Sequence, residues 1–291
     1  MTFCITTTRT ANLQRGRTGI KCYEDEVNGV VEGLNVLNIA AREQGIIRYD
    51  LPGVLSALLI PGKRKTFWGS MGDALLIDRA LGIVAVADGP ERNPVAAANF
   101  LTRFASQATD LKNLHTHHNG LKSIYAALVD LTNRLVRETG YHDGTTFSAI
   151  MTGDGGDLVL LHTGDSLVFL LPEETDRVVQ LSRTNHCFVG RSSCLFQTDL
   201  VTLRPGDLLL LATDGLTDLA RWSGVTTEIF VAGFIKDRRT EHVVDGIFES
   251  IQQKEIVDLD DICIVAVLPE ELRCSSPQPA DTRVILGSDR N

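Results

Sequence analysis

From Leu55 onward the sequence breaks into short apolar runs with an aspartate at or near one end, and this pattern constrains the fold more than any other feature. SALLI, DALLI, GIVAVA, TTFSAIM, DLVLLHT, SLVFLL, CLFQTDLVTL, DLLLLAT and ICIVAVL are rich in Ile, Leu, Val and Ala and are punctuated by Gly and Asp, which is how strands read. Helical spacing covers 95–108, 121–138, 228–236 and 242–254. Strands thus come in blocks and helices in pairs, without the strict alternation of a parallel sheet. The pattern predicts an α+β fold in layers, antiparallel sheets covered by helices.

The flanks differ. Residues 1–20 are polar and basic and read as a tail. Over 24–48, Val27, Val30, Val31, Leu34, Leu37 and Ile39 recur near helical spacing and predict one amphipathic helix, stopped by Leu51-Pro52-Gly53. Beyond Pro269 the composition turns to Pro, Ser, Asp and Arg, a second loose tail. The expected division is 1–54 tail and helix, 55–269 main domain, 270–291 tail. The histidines of LHTHHNG (His115, His117, His118) read as a solvated loop, because no Cys or carboxylate flanks them at ligand spacing.

Composition narrows the function. At 43 % hydrophobic residues the chain can bury an ordinary core. A net charge of −9 disfavours nucleic acid or an anionic membrane as partner. No apolar run approaches the ~18–20 residues of a transmembrane helix, and the opening MTFCITTTRTANLQRGR lacks a signal-peptide core. The expectation is a cytoplasmic chain. Six cysteines with no CxxC pair then read as reduced thiols.

The acids carry the chemistry. Asp88 ends GIVAVA and precedes Gly89; Asp214 follows LLLLAT and precedes Gly215; Asp165 lies between two strands in HTGDS; Asp260 and Asp261 open ICIVAVL; Asp73 opens DALLI. A carboxylate at the edge of a core is costly without a cation or donor, and hard divalent ions take such oxygen ligands. Asp-Gly is also a plain turn signal, so from the residues alone a turn and a carboxylate metal site both stand.

These segments resemble, in order, the signatures of the metal-dependent type 2C (PPM) protein phosphatases. GDALLIDRALGIVAVADG is similar to the opening acidic motif leading to the family's Asp-Gly, DGTTFSAIMTG to its Gly-Ser/Thr-Thr strand, and HTGDSLVFLL to its Gly-Asp-Ser motif. RPGDLLLLATDGLTD is similar to its Arg-x-Gly-Asp…Asp-Gly-Leu segment, and LDDICIVAV to its Asp-Asn/Asp-Ile-Thr strand. Gly72-Asp73 in place of Glu-Asp resembles the bacterial sporulation stage II E and stress-response branch, whose members act on phosphoserine or phosphothreonine in regulators of sigma factors.

The resemblance implies a four-layer α-β-β-α sandwich of two antiparallel sheets and a centre of two Mg²⁺ or Mn²⁺ ions. Asp88 would bridge both ions, the Gly89 carbonyl would bind one, and Asp214 and Asp260 would hold the other. Asp73 would act from behind the ligands or through water, and Asp165 would match the acid of a weaker third site. Asp88 and Asp214 are the catalytic candidates. The implied activity is signalling hydrolysis of a phosphorylated protein by a water held between the metals.

Three positions depart from the family pattern. Trp68 stands where an Arg often contacts phosphate, with Arg64 and Lys65 out of register. Pro90-Glu91-Arg92-Asn93-Pro94 replaces a His-bearing loop, and Gly72 replaces Glu. Arg92 becomes the candidate phosphate ligand. The alternative function is a catalytically weak PPM-fold module that binds a regulatory phosphoprotein.

Overall fold

In the computed structural model the chain is described over residues 3–6, 20–23, 27–32, 36–41, 46–62, 71–90, 92–111, 121–153, 156–235, 239–253, 260–272 and 283–286. The strands are β1 (Phe3–Thr6), β2 (Ile20–Tyr23), β3 (Val27–Glu32), β4 (Val36–Ala41), β5 (Ile46–Leu51), β6 (Leu55–Ile60), β7 (Asp73–Asp78) and β8 (Ile83–Asp88). There follow β9 (Phe147–Thr152), β10 (Asp157–Thr163), β11 (Leu167–Leu171), β12 (Val179–Gln180), β13 (Gln197–Thr202), β14 (Leu208–Ala212), β15 (Ile262–Val267) and β16 (Arg283–Leu286). They form a nine-stranded sheet, β1-β3-β4-β16-β7-β8-β9-β10-β13, and a seven-stranded sheet, β12-β11-β14-β15-β6-β5-β2. Among the described residues every pairing is antiparallel except β4 with β16.

Side-chain alternation explains why the strands read as unbroken apolar runs: both faces are covered. In β7, Leu75 and Ile77 pack between the sheets while Ala74 and Leu76 face the helices. In β8, Val84 and Val86 face inward and Ile83, Ala85 and Ala87 outward. Leu209 and Leu211 of β14 and Cys263, Val265 and Val267 of β15 complete the inter-sheet core, and their neighbours Leu210, Ala212, Ile264 and Ala266 form the second outer face.

Helices α1 (Ala96–Ala108) and α2 (Leu121–Glu138) cover the larger sheet. Phe100 and Phe104 of α1 meet Phe147 edge-on, with ring centroids 5.1 and 5.0 Å apart. Helices α3 (Gly215–Trp222), α4 (Thr227–Ala232) and α5 (Thr240–Gln253) cover the smaller. The result is the expected α-β-β-α sandwich. No helix among the described residues is long and apolar enough to cross a membrane.

Two expectations for the flanks are corrected. Among the described residues of 24–48 there is no helix; they form β3, β4 and the start of β5, with Val31 opposite Leu37 and Val27 opposite Ala41. Its valines favour strands, Gly29 and Gly33 disfavour a helix, and long-range pairing overrides a 3–4 spacing of apolar residues. The C-terminal stretch is not wholly a loose tail either: β16 inserts between β4 and β7, with Ile285 opposite Leu76 and Val36. The histidines of 114–120 and residues Arg64, Lys65 and Trp68 lie outside the described residues.

Inside the large sheet, His162 of β10 sits opposite Ser148 of β9 and is fully buried. Its Nε2 lies 3.1 Å from the Arg183 carbonyl, so Nε2 carries the proton and Nδ1 accepts from the Ser148 hydroxyl at 2.8 Å. Burial lowers its pKa to about 4 against weaker opposing backbone hydrogen bonds. A depressed folded pKa means that the unfolded chain takes up the proton first, so this stability is full above the ordinary pKa of about 6.5 and is lost as pH falls toward 4. Relative to His162→Gln, the wild-type chain should lose an extra ~1 kcal/mol per pH unit over that window. Urea midpoints at several pH values test this, and parallel slopes would refute it.

Candidate metal centre

The same alternation carries past the last apolar residue of each strand. Asp73 continues the inward row of Leu75 and Ile77, Asp88 that of Val84 and Val86, Thr213 that of Leu209 and Leu211, and Asp261 that of Cys263 and Val265. The inter-sheet core is therefore closed at one end by oxygen-bearing side chains from both sheets. Asp73 lies directly opposite Asp88 in the β7–β8 register and is buried. Across the sheets Thr213 Oγ1 donates to Asp73 Oδ2 at 2.6 Å and accepts the Cys263 N–H at 2.9 Å.

Asp88 is held by its main chain. Its N–H donates to Thr146 Oγ1 at 2.8 Å, and its carbonyl accepts from Thr145 Oγ1 at 2.7 Å and from the Thr146 N–H at 3.0 Å. The Gly89 N–H donates to the Gly72 carbonyl at 3.0 Å, and a Cβ at Gly89 would sit 3.0 Å from that oxygen and 3.3 Å from the Ala97 nitrogen. Asp214 is the N-cap residue of α3. A Cβ on the next residue, Gly215, would collide with the Asp261 carbonyl oxygen. Both Asp-Gly pairs thus owe their glycine to close backbone approach.

The acidic doublet splits its work. Asp261 is buried, and its two carboxylate oxygens accept the N–H groups of Gly62 and Gly72, each at 2.6 Å. This ties the end of β6 and the approach to β7 to the start of β15. Asp260 is half-buried, and its Oδ1 accepts the Asp261 N–H at 2.8 Å. Asp165 sits on the turn between β10 and β11. Burial and then the charge of Asp88 push its carboxyl up, while its own backbone and His186 pull it back. Ser166 Oγ lies 2.7 Å from Thr146 Oγ1, the atom that holds the Asp88 amide.

Asp73, Asp88, Gly89, Asp214, Asp260 and Asp165 are therefore brought to one end of the sandwich. Arg92 is exposed on the turn before α1. Among the described residues, no three His, Cys, Asp or Glu side chains form a ready-made cage. The donor set is nonetheless all oxygen, and its mutual repulsion, felt at Asp165, is what a hard cation would relieve. Sequence reasoning missed Thr213, Thr145, Thr146 and the clamp role of Asp261. Thr213 lay in plain view before Asp-Gly, but hydroxyls at strand ends carry no distinctive spacing.

The fold is that of known PPM phosphatases. RsbX in complex with magnesium matches with a TM-score of 0.54 at 14 % identity, over 77 % of this chain and 99 % of that one. The serine/threonine phosphatase of S. agalactiae matches at 0.54 and 17 %, over 74 % and 98 %. MsPP, a PPM Ser-Thr phosphatase from Mycobacterium smegmatis in complex with cacodylate, matches at 0.54 and 17 %, over 75 % and 99 %. No curated protein matches the sequence. The family model for stage II sporulation protein E (SpoIIE) matches residues 96–268, more than half of the chain. The chain belongs to that family, and its fold is the one that these PPM phosphatases share.

The split within the doublet is testable. Asp261→Ala removes two charge-assisted hydrogen bonds and leaves two buried N–H groups unmatched, so it should cost about 3 kcal/mol or more. Asp260→Asn, half-buried, should change stability by less than ~1 kcal/mol. Equal urea midpoints for the two variants would refute the assignment.

Proposed function

We propose that the chain is a metal-dependent phosphoprotein phosphatase acting on phosphoserine or phosphothreonine. The observation that carries this reading is the meeting of acids from both sheets at one end of the inter-sheet core, in a chain of the SpoIIE family. The catalytic unit is residues 55–269, with 1–54 and 270–291 as its flanks, and the setting is cytoplasmic. Asp88, the Gly89 carbonyl, Asp214 and Asp260 are assigned to two Mg²⁺ or Mn²⁺ ions, Asp73 to the shell behind them, and Asp165 to a weaker third site. When bound, such ions acidify water and offset charge on a phosphoryl group.

The chain's own part is positional. Thr145 and Thr146 fix the Asp88 backbone, Thr213 holds Asp73 against β14, and Asp261 fixes the segments on which Gly62 and Gly72 stand. Arg92 is assigned to the phosphate oxygens, for which a guanidinium is well shaped. Cys263 takes no part as a nucleophile: burial, and then the charge of Asp73, push its thiol well above the ordinary value.

A second reading is a weak phosphoprotein-binding module. It is favoured by one observation: among the described residues the only buried arginine, Arg48, lies away from the acids, held by Asp50 and by Asp245 of α5.

Turnover of a phosphoserine peptide should vanish with chelator, return with Mn²⁺ and be indifferent to thiol alkylation. Asp88→Asn should lower Mn²⁺ affinity at least about tenfold in calorimetry while keeping or raising the melting temperature, since carboxylate repulsion is relieved. Unchanged Mn²⁺ binding in that variant would sink the metal assignment. Metal binding without turnover would favour the second reading. Arg92→Ala should raise KM for the phosphopeptide by about tenfold and leave Mn²⁺ affinity alone; catalytic efficiency within twofold of wild type would remove Arg92 from the site.

A further inference from the structure

Beside the acidic end, the loop 182–193 folds back against the segment that holds Asp88. The Asn185 N–H donates to the Gly164 carbonyl at 2.9 Å, and the Gly164 N–H donates to Asn185 Oδ1 at 3.1 Å. Thr163 Oγ1 donates to the Cys187 carbonyl at 2.9 Å, and the Val189 N–H donates to the Thr145 carbonyl at 2.9 Å. Gly190, at φ +76°, presses so closely on Gly140 and Gly144 that a Cβ there would strike the Gly140 carbonyl at 2.5 Å. The loop is thus stitched to the backbone immediately before Thr145 and Thr146.

This places one side chain in an unusual setting. The Arg191 guanidinium carbon lies 4.7 Å from the centroid of the Tyr141 ring and 5.8 Å from that of Phe188. Its Nε is 3.7 Å from where a Gly144 Cβ would stand, so the side chain runs over Gly144, next to Thr145. Arg48, Arg103, Arg204 and Arg221 each pair with a carboxylate, whereas among the described residues Arg191 pairs with none, like Arg92, Arg134, Arg137, Arg177 and Arg183; its stacking on aromatic rings sets it apart from those five. The Asp143 carboxylate, on the same turn as Tyr141, accepts from Asn93 Nδ2 at 2.8 Å. Tyr141 itself is 63 % exposed, a large ring kept at the surface.

Stacking on a ring orients a guanidinium without consuming its N–H groups, which stay available in the ring plane for a carboxylate. An exposed arginine held on a ring and committed to no internal acid is a local positive site available to an acid brought from outside. We propose that Arg191, stacked on Tyr141, is a specificity-determining residue that receives an Asp or Glu side chain flanking the phosphorylated residue of the substrate. The inference rests on the phosphatase reading for its substrate class. Arg191 reaches the flank rather than the phosphate because Gly144, Thr145 and Thr146 stand between it and Asp88.

The test uses the full chain, Mn²⁺ and two fluorescent phosphoserine peptides that differ only in Glu or Gln beside the phosphoserine. Both kcat/KM and binding by anisotropy are measured. Wild type should favour the Glu peptide by about tenfold, the scale of one charge-assisted contact. Arg191→Ala should bring that ratio to near one, Arg191→Lys should retain part of it, and Tyr141→Leu should lower it by freeing the guanidinium. Melting temperatures confirm that each variant folds. No preference in wild type, a preference that survives Arg191→Ala, or equal loss for both peptides would overturn the proposal. A binding preference that depends on Arg191, with neither peptide hydrolysed, would support it while the phosphatase reading fails.

Discussion

The Thr213 hydroxyl takes a proton-donor contact from one sheet and gives its own proton to a carboxylate of the other. In doing so it links β14 and β15 to β7 at the point where the apolar core gives way to oxygen. A sandwich held only by apolar contact has no preferred register between its sheets, because dispersion and hydrophobic burial are poorly directional. A short, buried, charge-assisted hydrogen bond is directional. It fixes where the end of β14 lies against the start of β7, and hence where Asp214 lies relative to Asp73 and Asp88. Asp261 does the same for main chain, binding two amides from loops that approach β15 from different sides. The acids can be close together because neutral and backbone donors, rather than packing alone, hold the strands that carry them.

Crowding carboxylates in this way is unfavourable in itself. The raised affinity of Asp165 for its proton records that cost, first through burial and then through Asp88. The remainder of the fold tolerates it because three apolar layers back the site: the inter-sheet core and the two helix-covered outer faces. Buried apolar residues lie directly behind the acids on β7, β8 and β15, so the same alternation that builds the core also delivers the chemistry at its edge.

Much of this was legible in the sequence. The central strands announced themselves because burial on both faces makes each one continuously apolar, and the acids because they interrupt that pattern at strand ends. α1 and α2 were legible from the spacing of residues such as Ala97, Phe100, Leu101 and Phe104. The N-terminal strands were not, since Val27, Val30, Val31 and Leu34 satisfy a helical period as well as they satisfy a strand, and only the partner β4 decides between them. β16 was hidden for a related reason: four residues, RVIL, are too short to stand out within a polar stretch. At the site, Thr213, Thr145 and Arg191 escaped notice because their importance comes from what lies across the fold from them, which no local pattern encodes.

The placement of β16 has a consequence for how the molecule is made. β4 and β7 are its neighbours in the large sheet, yet both leave the ribosome long before residues 283–286. Until then the edge of β7 that will receive β16 is open, and β1, β3 and β4 can pair with one another but cannot join the sheet through it. Such an edge is a template for pairing with another chain, and non-local closure of this kind is slow. Until β16 emerges, the nascent molecule is therefore a sandwich with one unfinished margin. A strand far from its partners in sequence unites the large sheet.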